Sequence, residues 1–311
     1  MTGRTGRVVR RFAAWIAGGL LLVGLMACGG PAQTPLQSQY QREEERALRY
    51  HARGELPRAL AAYRESLRWA EIADDRPAMV RQDLNIGAVA LALGDWALAE
   101  ESFRRAERTA ALLPDPGSVL RARLGLAQAS LRQGRLEAAG AAFQQALNEA
   151  RGRDTAAVLV ALNGLGLVQQ ELGLTLAARA VLSEAEPLAR AHGDPRLLAA
   201  TLANRASLAL RAGDLGQAAT ALAEAVELDR ATENLPGLAH DLLTLARVRQ
   251  RQGDASAALE LDRQARTILR HTGQHHRADR CDQERGSLER ESGVCLRQVW
   301  LKSEEQDGPF E

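Results

Sequence analysis

The chain has 311 residues, with 40 Lys and Arg against 39 Asp and Glu and a formal net charge of +1. Such a nearly neutral chain lacks the basic excess that is typical of proteins that bind nucleic acid. Aromatic residues make up 4% of the sequence, and β-branched runs are rare after residue 30. This composition favours helices over strands.

Residues 1–27 have the features of a signal peptide. The chain opens with MTGRTGRVVRRF, which contains four arginines and no acidic residue, and the apolar run AAWIAGGLLLVGLMA follows at 13–27. A helix of this run would span roughly 22 Å, less than the ~30 Å hydrocarbon core of a bilayer. A basic start and a short apolar run that ends in small residues indicate a segment that is cleaved on secretion. Its removal would change the formal charge from +1 to −3, because it takes away the four arginines.

The segment Leu25-Met26-Ala27-Cys28 resembles a bacterial lipobox, in which cleavage precedes a cysteine that is then acylated. The resemblance implies a covalent lipid on Cys28, and several acyl chains form a stable anchor at about 0.8 kcal/mol per buried CH₂. Gly29 is not the aspartate that retains lipoproteins of this class at the inner membrane. The implied location is therefore the periplasmic face of the outer membrane, if the organism has one. The alternative is an ordinary signal peptide, or an uncleaved anchor, with an unrelated cysteine.

A glycine recurs at intervals of 39 or 40 residues through most of the chain, at positions 54, 94, 134, 173, 213 and 253. An alanine lies five residues after each glycine, and an alanine or glycine lies seven residues before it. Nine residues after the glycine the first five copies carry a bulky residue: Tyr63, Phe103, Phe143, Leu182 and Leu222. Asp262 breaks this rule in the sixth copy.

This pattern predicts helical hairpins that stack on one another. The glycine supplies the positive φ that ends one helix, and Asp95, Asp214 and Asp254 directly after it can cap the next. The small residues lie where the paired helices cross, and the bulky residue fills the space between neighbouring hairpins. Since one hairpin cannot bury its apolar face alone, at least three must stack.

These residues resemble the tetratricopeptide repeat over 38–272, where small residue, glycine, alanine and bulky residue occur in this order. The resemblance implies an all-α fold: a right-handed superhelical α-solenoid of about six hairpins. The repeats are longer than the usual 34 residues or so, and they are similar to the extended variety found in kinesin light chains and LGN-type scaffolds. The alternative is an irregular helical bundle.

Three further segments flank the repeats. Residues 28–37 are predicted to be a flexible tether from Cys28, and residues 303–311 a disordered tail. Residues 273–302 are predicted to be a degenerate seventh repeat, with a polar sequence that suits a terminal cap whose outer face meets water.

Cys281 and Cys295 are an even pair in an oxidising compartment, which favours a disulfide. In a regular hairpin, however, the two would lie about 15 Å apart along the helix axis, whereas Cα atoms joined by a disulfide are at most about 6.8 Å apart. Either the helix breaks near Gly286 and the bridge forms, or these cysteines are not bridged to each other. We favour the bridge.

The sequence contains no phosphate-binding loop, zinc motif, nucleophile elbow or calcium loop. Asp74 and Asp75 are interpreted as a helix end, and His271, His275 and His276 as a solvated turn instead of a metal site. We therefore predict no catalytic residue, no metal, no cofactor apart from the lipid on Cys28, and no small-molecule substrate.

The family resemblance implies a concave groove lined by the first helix of each hairpin, at 13, 10, 6, 3 and 2 residues before the turn glycine. Such a wall of arginines, leucines and amides suits an extended or helical peptide with apolar anchors and some negative charge. The alternative is that the arginines only keep this face soluble. The candidate groove residues are Arg81, Leu84, Leu91, Arg121, Leu124, Gln128, Arg132, Asn163, Gln170, Arg211, His240, Arg247 and Arg251.

These features together predict a non-enzymatic, lipid-anchored periplasmic scaffold that binds a protein or peptide partner in cell-envelope assembly. The membrane contact would be made through the lipid. Two alternatives belong to other classes: a structural solenoid that associates with itself, and an enzyme of cell-wall metabolism with a site in the last forty or so residues.

Overall fold

The computed structural model describes residues 34–275 and 277–279. Within these ranges the chain contains no strand and forms helices that pack as consecutive antiparallel pairs. The all-helical solenoid predicted from the repeats is confirmed. The helices are α1 (Pro35–Ala52), α2 (Leu56–Ile72), α3 (Arg76–Leu93), α4 (Trp96–Ala110), α5 (Pro116–Arg132), α6 (Leu136–Ala150), α7 (Thr155–Glu171), α8 (Thr175–His192), α9 (Pro195–Ala212), α10 (Leu215–Ala231), α11 (Leu235–Arg251) and α12 (Ala255–His271).

The turn inside each hairpin follows the predicted chemistry. All six recurring glycines have positive φ, between +72° at Gly54 and +86° at Gly253. Asp95, Asp214 and Asp254 each cap the next helix, where one carboxylate oxygen accepts a hydrogen bond of 2.9–3.0 Å from a backbone N–H three residues on. The glycine stops one helix and the aspartate starts the next.

The first helix begins at Pro35, three residues before the predicted start at 38. Thr34 caps it in a reciprocal arrangement: its hydroxyl accepts from the backbone N–H of Gln37, and the Gln37 side chain accepts from the N–H of Thr34. Pro35 also presets φ for the first helical position. The predicted tether 28–37 is therefore too long at its C-terminal end. The predicted signal peptide and Cys28 lie outside the described residues.

The bulky residue of the second hairpin, Phe103, packs against small residues on both sides. A Cβ on Gly87 would lie 2.7 Å from the ring of Phe103, and a Cβ on Gly125 would lie 2.5 Å from the same ring. Gly87 belongs to the hairpin of Phe103, and Gly125 belongs to the next one. The aromatic ring thus joins two hairpins through space that only glycine leaves open.

The sixth hairpin departs from the pattern as its sequence indicates. Asp262 occupies the repeat position at which the other hairpins have a bulky residue. It is half-buried and forms an ion pair with Arg266 at 2.9 Å. Ala258 is also only half-buried, whereas the alanine at this position is fully buried in the other five hairpins.

Two layers of helices form the solenoid. From α3 to α11, each first helix contacts the next first helix in the row directly. Each second helix from α2 to α10 packs between two first helices. The first helices therefore form the inner, concave row, as the family resemblance implies.

The first and sixth hairpins touch each other, so the row of helices closes on itself. A Cβ on Gly54 would lie 2.7 Å from Cγ2 of Thr272 and 2.9 Å from Cδ1 of Leu235. Gly273 approaches Pro57 in the same way, at 2.8 Å. The two ends of the row of hairpins are therefore in contact.

Residues 273–279 are the described part of the predicted seventh repeat. Gly273 has φ of +75°, and Gln274 is fully buried. The remainder of the predicted cap, with Cys281, Gly286 and Cys295, and the tail at 303–311 lie outside the described residues. None of the helices in the described part combines the length and apolar character needed to cross a membrane.

Candidate peptide-binding groove

The candidate groove residues lie on the inner row of helices, but most of them already have partners. Arg81 on α3 points to Glu44 on α1, with 3.4 Å between its nearest guanidinium nitrogen and the carboxylate. Arg121 on α5 donates to Ser118 Oγ at 2.7 Å and lies 3.7 Å from Asp115 at the start of the same helix. Arg81 therefore joins two first helices, whereas Arg121 belongs to a local group at the start of α5.

Arg211 and Arg251 join consecutive first helices. Arg251 donates to the carbonyl oxygen of Leu210 at 2.8 Å, and Arg211 donates to that of Gln170 at 3.0 Å. Each accepting carbonyl lies in the last turn of the preceding first helix and also accepts from the N–H of the turn glycine. Arg211 also pairs with Glu171. Both arginines therefore have a structural role that the sequence did not reveal.

Several uncharged candidates also hold neighbouring helices together. Asn163 donates to Thr201 Oγ1 at 3.0 Å, and Gln170 donates to the carbonyl oxygen of Asn204 at 3.3 Å. Leu124 belongs to the core around Phe143. Leu84 and Leu91 are half-buried and pack against the core around Phe103. Gln128 is half-buried on the inner row.

A separate group of cations acts on His240. His240 on α11 keeps exposed surface, yet protein surrounds it closely. This desolvation, with the positive charges of Arg277, Arg132 and Arg247, lowers the pKa of His240 to about 4. The cations come from α5, from α11 and from the segment after α12. At neutral pH the histidine is uncharged and is flanked by arginines.

Arg132 differs from the other arginines at its repeat position. It lies two residues before the turn glycine, as Arg211 and Arg251 do, but within residues 34–275 and 277–279 it has no hydrogen-bond or ion-pair partner. Desolvation lowers the pKa of its guanidinium. Arg132 nevertheless keeps exposed surface, so its guanidinium is accessible from solvent.

Sequence reasoning missed three groups in this region. Arg277 follows the last complete hairpin, at a position where the repeat pattern gives no signal. Asp83 and Asp241 are buried acids on first helices, and desolvation raises their pKa values to about 6 and about 8. Asp83 accepts from Nε of Arg105 at 3.0 Å, whereas Oδ2 of Asp241 is buried without a hydrogen-bond partner.

A cleft of about 420 Å³ lies at the seam between the first and sixth hairpins, lined by Ala52, Arg53, Glu55, Glu233, Leu235 and His271.

Asp74 and Asp75 are not a catalytic pair: Asp75 caps α3 and accepts a hydrogen bond of 2.6 Å from Tyr40. Among the described residues, His, Cys, Asp and Glu side chains form no group of three that could bind a metal. The side chain of His276 lies outside that set.

Residues 120–152, which cover most of α5 and all of α6, match the family model of the tetratricopeptide repeat. No curated protein matches the sequence.

Solved structures share the solenoid. A Rap protein complexed with competence and sporulation factor has 12% identity and a TM-score of 0.61, with 81% of this chain and 77% of that chain covered. The Rap conjugation gene regulator of plasmid pLS20, in complex with the Phr* peptide, has 15% identity and a TM-score of 0.62, with coverage of 80% and 67%.

A signal transduction ATPase with a tetratricopeptide repeat sensor, from Pyrococcus horikoshii, has 16% identity and a TM-score of 0.54, with coverage of 80% and 40%. At these identities the similarity is one of fold. Residues 120–152 thus match one tetratricopeptide repeat, and the described part of the chain shares the solenoid fold of these structures.

Proposed function

We propose that this protein is a non-enzymatic scaffold that holds a segment of a partner protein on its concave face. The observation that carries the proposal is the inner row of first helices, where Gln128, Arg132 and His240 keep accessible surface. Concave surfaces with a few convergent polar groups are where proteins usually bind ligands.

The structural relatives are compatible with this function. Both Rap proteins were solved with a bound factor or peptide. In this chain the half-buried Leu84, Leu91 and Gln128 along the inner row add apolar and amide surface to the cationic group. A peptide with apolar side chains and at least one acidic group would suit these features.

We further propose that the scaffold acts in assembly of the cell envelope, on the periplasmic face of the outer membrane. The signal-peptide features of residues 1–27 and the lipobox-like residues before Cys28 support this location. Mass spectrometry of the N-terminal peptide should find an acylated Cys28, and the Cys28→Ser variant should lose its sedimentation with outer membranes. An unmodified, cytosolic protein would contradict the location but leave the groove proposal intact.

The binding function is tested by site-specific photo-crosslinking in intact cells of the source organism. A benzoylphenylalanine at Gln128, which lies on the inner face of α5, should capture a distinct partner. The matched control is Gln144, an exposed glutamine on α6, where the same photoreactive residue should capture little.

The pattern of products decides between the functional classes. A distinct protein crosslinked from position 128 and absent from position 144 supports the scaffold. Products that contain only copies of this chain would show self-association and overturn the proposal. Equal capture from both positions would also overturn it, because the concave face would then have no special role.

A further inference from the structure

We infer that Ile72 and Leu112 form a contact surface for the phospholipid membrane in which the lipid on Cys28 is anchored. The inference rests on the proposed acylation of Cys28, and it adds which face of the solenoid lies against the membrane. Both side chains lie at the edge of the solenoid where the chain enters its first helix.

The two aliphatic side chains contribute little to the core. Ile72 is the last residue of α2 and is 62% exposed, and Leu112 follows the end of α4 and is 68% exposed. Single exposed aliphatic residues are common on protein surfaces. These two, however, occupy the same repeat position on consecutive hairpins, 18 residues after Gly54 and Gly94.

Later hairpins have small or polar residues at this position: Gly152, Ala191, Ala231 and His271. The large aliphatic residues are thus confined to the two hairpins that follow the N-terminal segment. Since the copies otherwise share one pattern, this difference along the row indicates a role that depends on closeness to the N-terminus instead of on the stacking of hairpins.

Contacts place the start of α1 against the loop that follows Ile72. The hydroxyl of Tyr40 donates to Asp75 at 2.6 Å, and Oγ of Ser66 donates to the backbone carbonyl of Tyr40 at 2.8 Å. Asp75 caps α3, three residues after Ile72. Thr34 therefore caps α1 on the same edge of the solenoid as this loop.

The loop that contains Leu112 lies on this edge as well. Arg105 in the second half of α4 donates to Asp83 in the first half of α3 at 3.0 Å, as the antiparallel pairing of helices requires. The end of α4 therefore lies beside the start of α3, which in turn lies beside the start of α1.

The length of the intervening chain keeps this edge near the membrane. Thr34 lies six residues after Cys28, and an extended chain covers at most about 3.6 Å per residue, so the cap of α1 lies within roughly 22 Å of the acylated residue. The opposite end of the first hairpin is a further helix length away, about 27 Å for the 18 residues of α1. Ile72 and Leu112 are thus on the side of the solenoid that faces the anchor.

A larger apolar group lies at the opposite edge and provides a matched control. Leu172, Leu174 and Leu176 surround the turn between α7 and α8 in the fourth hairpin, and Leu174 is 52% exposed. This turn is the end of the hairpin that lies away from the start of α7. If exposure alone determined membrane contact, these leucines would make it, whereas the anchor favours Ile72 and Leu112.

Charges of both signs surround the two aliphatic side chains. Asp74 and Arg76 lie 3.9 Å apart in the first loop, and Asp115 lies 3.7 Å from Arg121 at the second. Such mixed charge differs from the clusters of basic residues that recognise anionic lipids. Aliphatic side chains instead gain from burial at the boundary between headgroups and acyl chains. We therefore expect contact with the bilayer itself, without a requirement for anionic lipid.

The experiment uses the full acylated protein, purified from membranes and reconstituted in phosphatidylcholine vesicles that contain an alkyne-tagged phosphatidylcholine. Benzoylphenylalanine replaces Leu112 or, as the control, Leu174. After illumination, position 112 should yield about tenfold more lipid-tagged protein than position 174, because only the former reaches the acyl chains. The yield should be the same when phosphatidylglycerol is added. Mass spectrometry of the same sample determines whether Cys28 is acylated.

A second variant tests whether the two side chains make one contact. With the photoreactive residue at position 72, Leu112→Asp should reduce the lipid product about tenfold, because a carboxylate is costly to bring into the membrane. Leu174→Asp is the matched control and should leave the product unchanged. Since positions 112 and 174 are both exposed, the variants should remain folded, which circular dichroism verifies.

Equal lipid capture from positions 112 and 174, or capture from neither, would overturn the inference. Capture that required phosphatidylglycerol would also overturn it, since the contact would then be electrostatic. In intact cells, a protein captured from position 112 in place of lipid would assign this surface to a partner instead. If Cys28 proved unmodified, the proposed location and this inference would fail together, whereas an acylated Cys28 with no lipid capture would contradict this inference alone.

Discussion

Gly164 on α7 faces the ring of Phe143 on α6 so closely that a Cβ on the glycine would lie 2.4 Å from the ring carbons. Phe143 is fully buried in the core between the third and fourth hairpins. A methyl group at position 164 would therefore have to displace an aromatic ring that has no room to move.

We expect Gly164→Ala to destabilise the solenoid. Alanine in a helix gains about 1 kcal/mol over glycine, but overpacking of a dense core costs about 1–3 kcal/mol, and the contact at this site belongs to the severe end of that range. Thermal unfolding followed by circular dichroism should show a lower Tm.

Gly216→Ala is the matched control, because Gly216 also lies in a helix but has only Asp214 within reach, at 3.7 Å. This variant should be neutral or more stable by up to about 1 kcal/mol. If both alanine variants changed Tm equally, the close packing of Phe143 would not be what fixes the spacing of the hairpins.

The buried pair of Asp83 and Arg105 makes a second prediction. Desolvation raises the pKa of Asp83 to about 6, although Arg105 opposes this shift by donating to the carboxylate. Arg105→Gln should lower stability at pH 7 by about 3 kcal/mol, because it leaves a buried carboxylate without its cation.

The pH dependence identifies the cause. Without Arg105 the folded-state pKa of Asp83 rises further above its unfolded value near 3.8. The variant therefore loses stability as pH rises from the unfolded pKa towards the folded pKa, and it regains stability at lower pH, where the carboxyl is protonated. Urea unfolding should therefore show a smaller deficit at pH 4.5 than at pH 7. An equal deficit at both pH values would indicate that Arg105 acts through its packing alone.

Local features of the fold could be predicted from the sequence because they repeat. The turn glycines with positive φ, the aspartate caps and the pairing of small residues with Phe103 all depend on contacts within one hairpin or between two neighbours. Six copies of one pattern leave little ambiguity about such contacts. The start of α1 was missed because Thr34 and Pro35 belong to the one helix start that has no preceding repeat.

The candidate site was predicted less well, and for a physical reason. Whether the two ends of the row meet depends on the accumulated rotation from one hairpin to the next, which brings Gly54 to Thr272. A small change of this rotation in each repeat would separate them, and no residue of the repeat pattern encodes it directly. For the same reason the sequence could not distinguish Arg132 from Arg211 and Arg251, whose partners lie on the preceding helix.

That distinction makes a third prediction, about stability instead of binding. Arg251→Gln should lower stability by about 1 kcal/mol, because it removes a hydrogen bond to a terminal helix carbonyl. Arg132→Gln should leave Tm unchanged, since the exposed Arg132 makes no hydrogen bond or ion pair to another residue of the described ranges. A marked loss of stability in Arg132→Gln would instead assign this arginine a structural role.

The buried Asp241 makes the last prediction. Its side chain is 2% exposed, and desolvation, reinforced by the negative charge of Asp229, raises its pKa to about 8 from an ordinary value of 3.8. The folded state therefore binds a proton more tightly than the unfolded state does. The stability that this proton contributes is complete below the unfolded pKa and is lost as pH rises through the folded one, with a slope of at most about 1.4 kcal/mol per pH unit in between. Asp241→Asn removes this dependence, so its Tm relative to the wild type should increase steadily from pH 5 to pH 8.

The control is Asp254→Asn: Asp254 is an exposed helix cap whose pKa is lowered by the backbone N–H of Ala257, so it stays ionised over this range and its Tm difference should be constant. A constant difference for Asp241→Asn as well would mean that this carboxyl is ionised in the folded protein and has a cationic or hydrogen-bonded partner.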